Sequence, residues 1–224
     1  MGIGRLGGDG RQTMHRRENG TFRPLGLAAA LAGAMLLADP AFAHHMMGGR
    51  TPSTFAEGLL SGLGHPVIGI DHLAFLVAVG VAAGVAGLNL MMPAVFVAAS
   101  AIGVALHVEA VTIPGAEILV AASVILAGAL VARGAVASSA LWLGLFVVAG
   151  LFHGYAYGES IFGAETTPLA AYLIGLVVIQ SALAIGVAAV TRKHTAAAIA
   201  PRLAGAAIAG IGLAVLVQQF VPAG

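Results

Sequence analysis

The stretch GHPVIGIDHLAF, residues 64–75, puts two imidazoles and a carboxylate (His65, Asp71 and His72) at the entrance of a long apolar run. From 66 to 87 the only ionisable side chains are Asp71 and His72. A hydrocarbon layer about 30 Å thick takes about 20 residues to cross as helix, at about 1.5 Å each. The run is therefore read as a membrane span over 66–87, with its polar residues at one end. Pro66 suits the first turn of that helix. His65 and His72, seven apart, then share one face, and Asp71 points about 100° away from His72.

Further along, the pattern repeats. Apolar runs of spanning length fall at 90–112, 115–133, 139–158, 168–190 and 201–221, separated at Asn89, Pro93, Pro114, Arg133–Ser139, Pro168 and Arg192–Pro201. They are long and do not alternate, so they read as helices rather than barrel strands. The chain is 59% hydrophobic and 8% charged, where a soluble domain carries about 25% charged residues. Its main partner is the lipid bilayer. A net charge of +1 with no basic patch gives no reason to expect nucleic acid. The 32 glycines suit close helix approach, because lipid supplies no hydrophobic drive for helix association. Gly150, Gly154 and Gly158 form one small-residue stripe, and Gly80 and Gly84 another.

The N-terminal part reads differently. Arg11, Arg16, Arg17 and Arg23 precede a short apolar run, 24–37, and then ADPAFA, ending at Ala43. Basic region, apolar core and small-x-small site describe a secretory signal peptide. The expected organisation is a signal peptide over 1–43, a periplasmic segment over 44–64 with a short interfacial helix near 53–63, and a six-helix membrane domain over 65–224. The fold class is an all-α membrane protein, six transmembrane helices after a cleaved signal peptide. Cleavage would leave His44, His45, Met46 and Met47 at an outer terminus, all ligand types for a late first-row metal. Met91 and Met92 read as packing residues. Both mature termini are then periplasmic. The loops after spans 1, 3 and 5 hold Arg133, Arg192, Lys193 and Arg202, whereas the loop after span 4 holds Glu159 and Glu165 and no cation. This bias gives the same orientation independently.

On that topology the costly residues gather in the periplasmic half: His65, Asp71 and His72 on span 1, His107 and Glu109 on span 2, Glu117 on span 3, His153 with Tyr157 on span 4. A charge at the bilayer centre costs about 2.5–3.5 kcal/mol on insertion scales. Such residues normally face the bundle interior and mark an ion or substrate path. Glu109, Glu159 and Glu165 suit solvated loop edges. Gln180 is one of few polar groups deeper in. With no cysteine, the ligand set of imidazole and carboxylate fits nickel, copper, zinc or cobalt. No phosphate-binding loop is present, which argues against ATP-driven transport by this chain alone. A carboxylate beside an imidazole is also a common way to orient a metal ligand. Two function classes fit: a cation permease, or a membrane-embedded metal-dependent hydrolase. A periplasmic-facing metal sensor or chaperone is a third.

HPVIGIDH, residues 65–72, resembles the His-Pro-x-x-Gly-x-Asp-His signature of the HupE/UreJ family. PGAEILVAASVILAG, with Glu117, and FHGYAYGE, with His153 and Gly154, are similar to later parts of the family pattern. The resemblance covers essentially the whole mature chain. It implies an inner-membrane permease for a divalent metal, Ni²⁺ first and Co²⁺ as the alternative, with a link to urease or hydrogenase maturation; the His44-His45-Met46-Met47 terminus adds Cu²⁺ as a further alternative. The metal is cargo, and no bound cofactor is implied. By motif match it points to His65, Asp71 and His72, then to Glu117 and His153. His44, His45 and His107 complete the candidate ligands. Tyr157 stands where the family often has a second histidine.

Overall fold

A computed structural model describes residues 1–2, 50–89 and 91–221. The chain divides into two units, Met1–Ala38 and Asp39–Gly224, and everything below belongs to the second. The signal-peptide reading and His44–Met47 lie outside the described residues.

The described residues form seven α-helices and one short 3₁₀ turn: α1 (Phe55–Ile68), α2 (Ile70–Val85), α3 (Met91–Val108), α4 (Ala116–Ala132), α5 (Ser139–Gly158), the 3₁₀ turn Glu159–Ile161, α6 (Thr166–Thr191) and α7 (Ile199–Gln218). Four of them, α3, α5, α6 and α7, are long and apolar enough to cross a membrane, and α1 with α2 make a fifth candidate bent by 76°. Helix α4 is apolar but has 17 residues. The expected runs at 90–112, 115–133, 139–158, 168–190 and 201–221 each correspond to one helix.

The first span is corrected. A helix does not begin near Pro66. It begins at Phe55, behind a capping box in which the Thr54 side chain accepts from the Glu57 N–H and the Glu57 carboxylate accepts from the Thr54 N–H. Reciprocal satisfaction of two otherwise orphaned donors makes this a strong start. The helix then carries through His65 and Pro66 and breaks at Gly69, which is extended (φ −68°, ψ 107°). Proline at a first turn is one permitted placement. Here it sits near a helix end instead, three residues before the break. His65 and His72 are consequently on two helices, not on one face of a single helix.

Helix α2 is the hub. Twelve of its 16 residues are buried, as expected of a helix that is apolar all round. Phe75, Leu76, Ala78 and Val79 are fully covered, and α2 packs on α6, α4 and α7. The glycine stripes are contact surfaces. A Cβ on Gly80 would lie 2.6 Å from Val187 Cβ, and one on Gly84 2.7 Å from Ala188 O, so α2 and α6 run parallel. A Cβ on Gly150 would meet Phe96 O, on Gly154 the Ser100 backbone and on Gly158 His107, so α3 and α5 are parallel too. Gly58 faces Pro168 and Gly62 faces Tyr172, which makes α1 parallel to the first half of α6. Gly128 faces Gly205 and Ala209, while Gly212 faces Ile125, so α4 and α7 are antiparallel. At the end remote from His65, the loops after α2, α4 and α6 share one recess, with Ala86, Ala137 and Ala196 in its wall. Also at that end, Arg202 Nε donates to the Ala132 carbonyl at 3.2 Å.

Candidate metal site at the α1–α2 break

The break at Gly69 shapes the site. Its N–H donates to the His65 carbonyl at 3.0 Å, and its own carbonyl accepts from Leu73 N at 2.9 Å. The backbone therefore passes from one helix to the next with these groups satisfied. A Cβ on Gly69 would stand 2.6 Å from His72 Cδ2, so the imidazole occupies the space a side chain would need. Asp71 lies in the first turn of α2, where a carboxylate suits the positive end of the helix dipole. Its Oδ1 accepts from the His72 backbone N–H at 2.8 Å. That contact holds the His72 backbone. Asp71 is buried.

Three histidines from α1, α2 and α5 meet here, all buried. Ring centroids are 5.6 Å apart for His65–His72 and 5.1 Å for His72–His153. His72 Nδ1 and His153 Nδ1 are 2.9 Å apart. His153 Nε2 lies 2.9 Å from Ser123 Oγ on α4, and Ser123 donates to the Val120 carbonyl at 2.7 Å. With the Ser123 proton spent on that carbonyl, its oxygen accepts from His153 Nε2–H. We assign the tautomers from this bond. A neutral His153 then accepts at Nδ1 from His72 Nδ1–H.

His65 is held from the other side. Its Nδ1 is 2.8 Å from Ser160 Oγ in the 3₁₀ turn and 3.1 Å from the Tyr172 hydroxyl on α6. Tyr172 donates to the Tyr157 carbonyl at 2.7 Å. The Tyr157 ring is fully buried, 4.3 Å from His72 and 5.2 Å from His65 by centroids. It therefore packs on the same imidazoles that a histidine at 157 would join. Ser123, Ser160 and Tyr172 escaped the sequence reading. Serines are too common in helices and turns to stand out, but Tyr172 carried a signal, as one of three tyrosines in the chain, set in an apolar helix where a buried hydroxyl needs a partner.

The other candidates are elsewhere. The ring contacts of His107 are with Tyr155 and Phe162, at 4.6 and 5.7 Å. Glu117 is exposed in the first turn of α4, and Glu109, Glu159 and Glu165 are exposed too. The histidines form a row rather than a ring of donors around one point. Among the described residues no group of three or more His, Asp or Glu side chains is arranged to hold a metal ion.

A family profile described as HupE / UreJ protein matches residues 29–215. The chain belongs to the HupE/UreJ family. The match spans every helix of the bundle except the last few residues of α7, and the Gly64–Phe75 stretch lies within it. Family membership together with the apolar helices makes this a multi-pass membrane protein with a metal transport or accessory role. No curated protein and no solved structure matches the chain.

Proposed function

We propose that this HupE/UreJ protein is a secondary permease of the bacterial inner membrane that takes up a divalent transition-metal cation, Ni²⁺ first, with Co²⁺ and Cu²⁺ as competitors. One observation carries the reading: three imidazoles from three helices are buried in contact at a helix break. Discontinuous helices of this kind frame ion sites in secondary transporters, and irregular backbone at membrane depth is tolerated where it is buried in protein or lines a cavity. His65, His72 and His153 supply the soft-to-borderline donors, and Asp71 fixes the His72 backbone. Because the imidazoles stand in a row, capture requires a ring to turn from its hydrogen bond toward the cation, or ligands from His44 and His45 to join. The exposed Glu117 is suited to drawing cations to the outer face rather than to holding them. His107 is an outlying donor on the same side.

The directions of helix packing favour six crossings. If α1 with α2 is one crossing and α4 another, strict alternation makes first and fifth parallel, second and fourth parallel, and third and sixth antiparallel. Those are the relations that the glycine contacts give. In this orientation both mature termini are periplasmic and the membrane potential drives a divalent cation inward, by about 4.6 kcal/mol per 100 mV. A role in supplying urease or hydrogenase maturation follows from the family.

The test is radiolabelled nickel uptake by cells expressing the chain, beside His72→Ala and Asp71→Ala at matched expression, with cobalt and copper as competitors. Saturable uptake lost in His72→Ala and reduced at least tenfold in Asp71→Ala is the expected result. Stoichiometric binding of nickel by purified protein without any uptake would overturn the permease and favour a sensor or chaperone.

A further inference from the structure

One buried polar pair lies outside the histidine row. Gln180 on α6 and Ser100 on α3 are both fully buried, and Ser100 Oγ is 3.1 Å from the Gln180 amide oxygen. Ser100 also donates to the Val97 carbonyl, at the shorter distance of 2.8 Å. A hydroxyl has one proton. If it goes to Val97, the amide is turned so that its NH₂ donates to Ser100 Oγ, and the amide oxygen faces the interior. In the opposite orientation, Gln180 Nε2 is left without a hydrogen-bond partner among the described residues. Either way, one half of a fully buried amide in the middle of an apolar bundle is unsatisfied, a costly arrangement for a group that only ties two helices together.

The position of the pair gives it a use. Gly80 and Gly84 of α2 face Ala184 and Ala188 of α6, so one turn earlier Leu76 is level with Gln180. Gln180 is therefore about one helical turn past His72 in the direction of the loop that carries Arg192. Ser100 packs on Gly154, the neighbour of His153. The pair thus lies beside and about one turn beyond the histidines, on the side away from the outer face in the proposed orientation.

We infer that the Gln180 amide oxygen is a second, inner station for the transported divalent cation, to which the metal passes from the imidazoles, while Ser100 holds the amide in position. This rests on the uptake reading above. An amide oxygen is a neutral and weaker donor for a late transition metal than imidazole. Weaker binding at the next station lets the ion leave the first.

The experiment compares nickel-63 uptake in cells expressing wild type, Gln180→Leu, Gln180→Glu and Ser100→Ala, each quantified in the membrane and checked for monodispersity in detergent. Nickel binding to the purified proteins is measured alongside. Gln180→Leu is expected to lower maximal uptake at least tenfold, with KM and the binding constant within twofold of wild type, because capture at the histidines is untouched. Ser100→Ala, which breaks the tie but keeps the oxygen, is expected to retain at least a third of the maximal rate. Gln180→Glu, which restores an oxygen at nearly the same size, is expected to bind nickel more tightly and turn over more slowly. Wild-type uptake in Gln180→Leu would overturn the inner station and leave the permease standing. Equal losses in Gln180→Leu and Ser100→Ala would do the same, by reducing the pair to a helix tie. If wild type takes up no nickel, the permease reading falls, and the station with it.

Discussion

At the scale of single residues, Gly69 matters through the space it leaves. Any Cβ there would meet the His72 ring, which is buried and bonded to His153. Gly69→Ala should displace that imidazole and weaken nickel binding about tenfold, or about 1.4 kcal/mol, while the helices stay intact. Equilibrium binding and circular dichroism on the purified variant would check both halves of the expectation. Tyr157 makes a contrasting case. Its ring packs on His72 and His65, but its hydroxyl is buried with no hydrogen-bond partner among the described residues. Removing an unsatisfied buried hydroxyl relieves a desolvation penalty. Tyr157→Phe should therefore leave the thermal midpoint in detergent unchanged or raise it, by up to about 1 kcal/mol of stability. A clear fall would mean that the hydroxyl has a partner.

Among the elements, the α3–α5 pair depends on glycine. Gly154 sits against the Ser100 backbone, with Ser100 Cα 2.5 Å from where a Cβ would be, and Gly103 in turn sits against Leu151 and Tyr155. Backbone cannot retreat as a flexible side chain can. Gly154→Val should cost about 3 kcal/mol or more through overpacking, read as loss of folded protein from the membrane fraction. Gly144 and Gly186 are mid-helix glycines where an added Cβ would meet no described atom within 4 Å. Gly144→Ala and Gly186→Ala should be neutral, or stabilising by about 0.5–1 kcal/mol, since alanine loses less backbone entropy in a helix. Thermal unfolding of the set in one detergent separates the two classes. The stripes were legible in the sequence as spacing, and all five of their glycines, Gly80, Gly84, Gly150, Gly154 and Gly158, meet a neighbouring helix, but which helix each meets was not legible. Gly144 and Gly150 share a helix, yet Gly150 meets α3 and Gly144 does not.

For the whole molecule, orientation is the measurable quantity. The chain has no cysteine, so a single introduced thiol reports its own side of the membrane. Gly163→Cys, between the 3₁₀ turn and α6, should react with a membrane-impermeant maleimide in intact cells. Ala135→Cys, between α4 and α5, should react only after lysis. Labelling of both from outside would break the alternation on which the inward path rests. The two ends of the bundle already differ chemically. Ser160 and Tyr172 hold His65 at one end, while Arg202 donates to the Ala132 carbonyl of α4 at the other.

The sequence by itself determined the class of fold and the approximate limits of its helices, because hydropathy acts over whole runs of residues and needs no partner to be read. It also singled out His65, Asp71, His72 and His153, since ionisable groups in an apolar run are costly wherever the chain folds. Helical periodicity fails at Gly69, because proline and glycine together end one helix and start another, and the shared face of His65 and His72 goes with it. Only the tertiary structure decided that the two histidines meet across a break, that His153 joins them with Ser123 behind it, and that Glu117 and His107 stand apart. The reason is physical. Which polar groups share a pocket depends on helix register and crossing, and these are fixed by close backbone contacts at particular glycines, which local sequence does not encode.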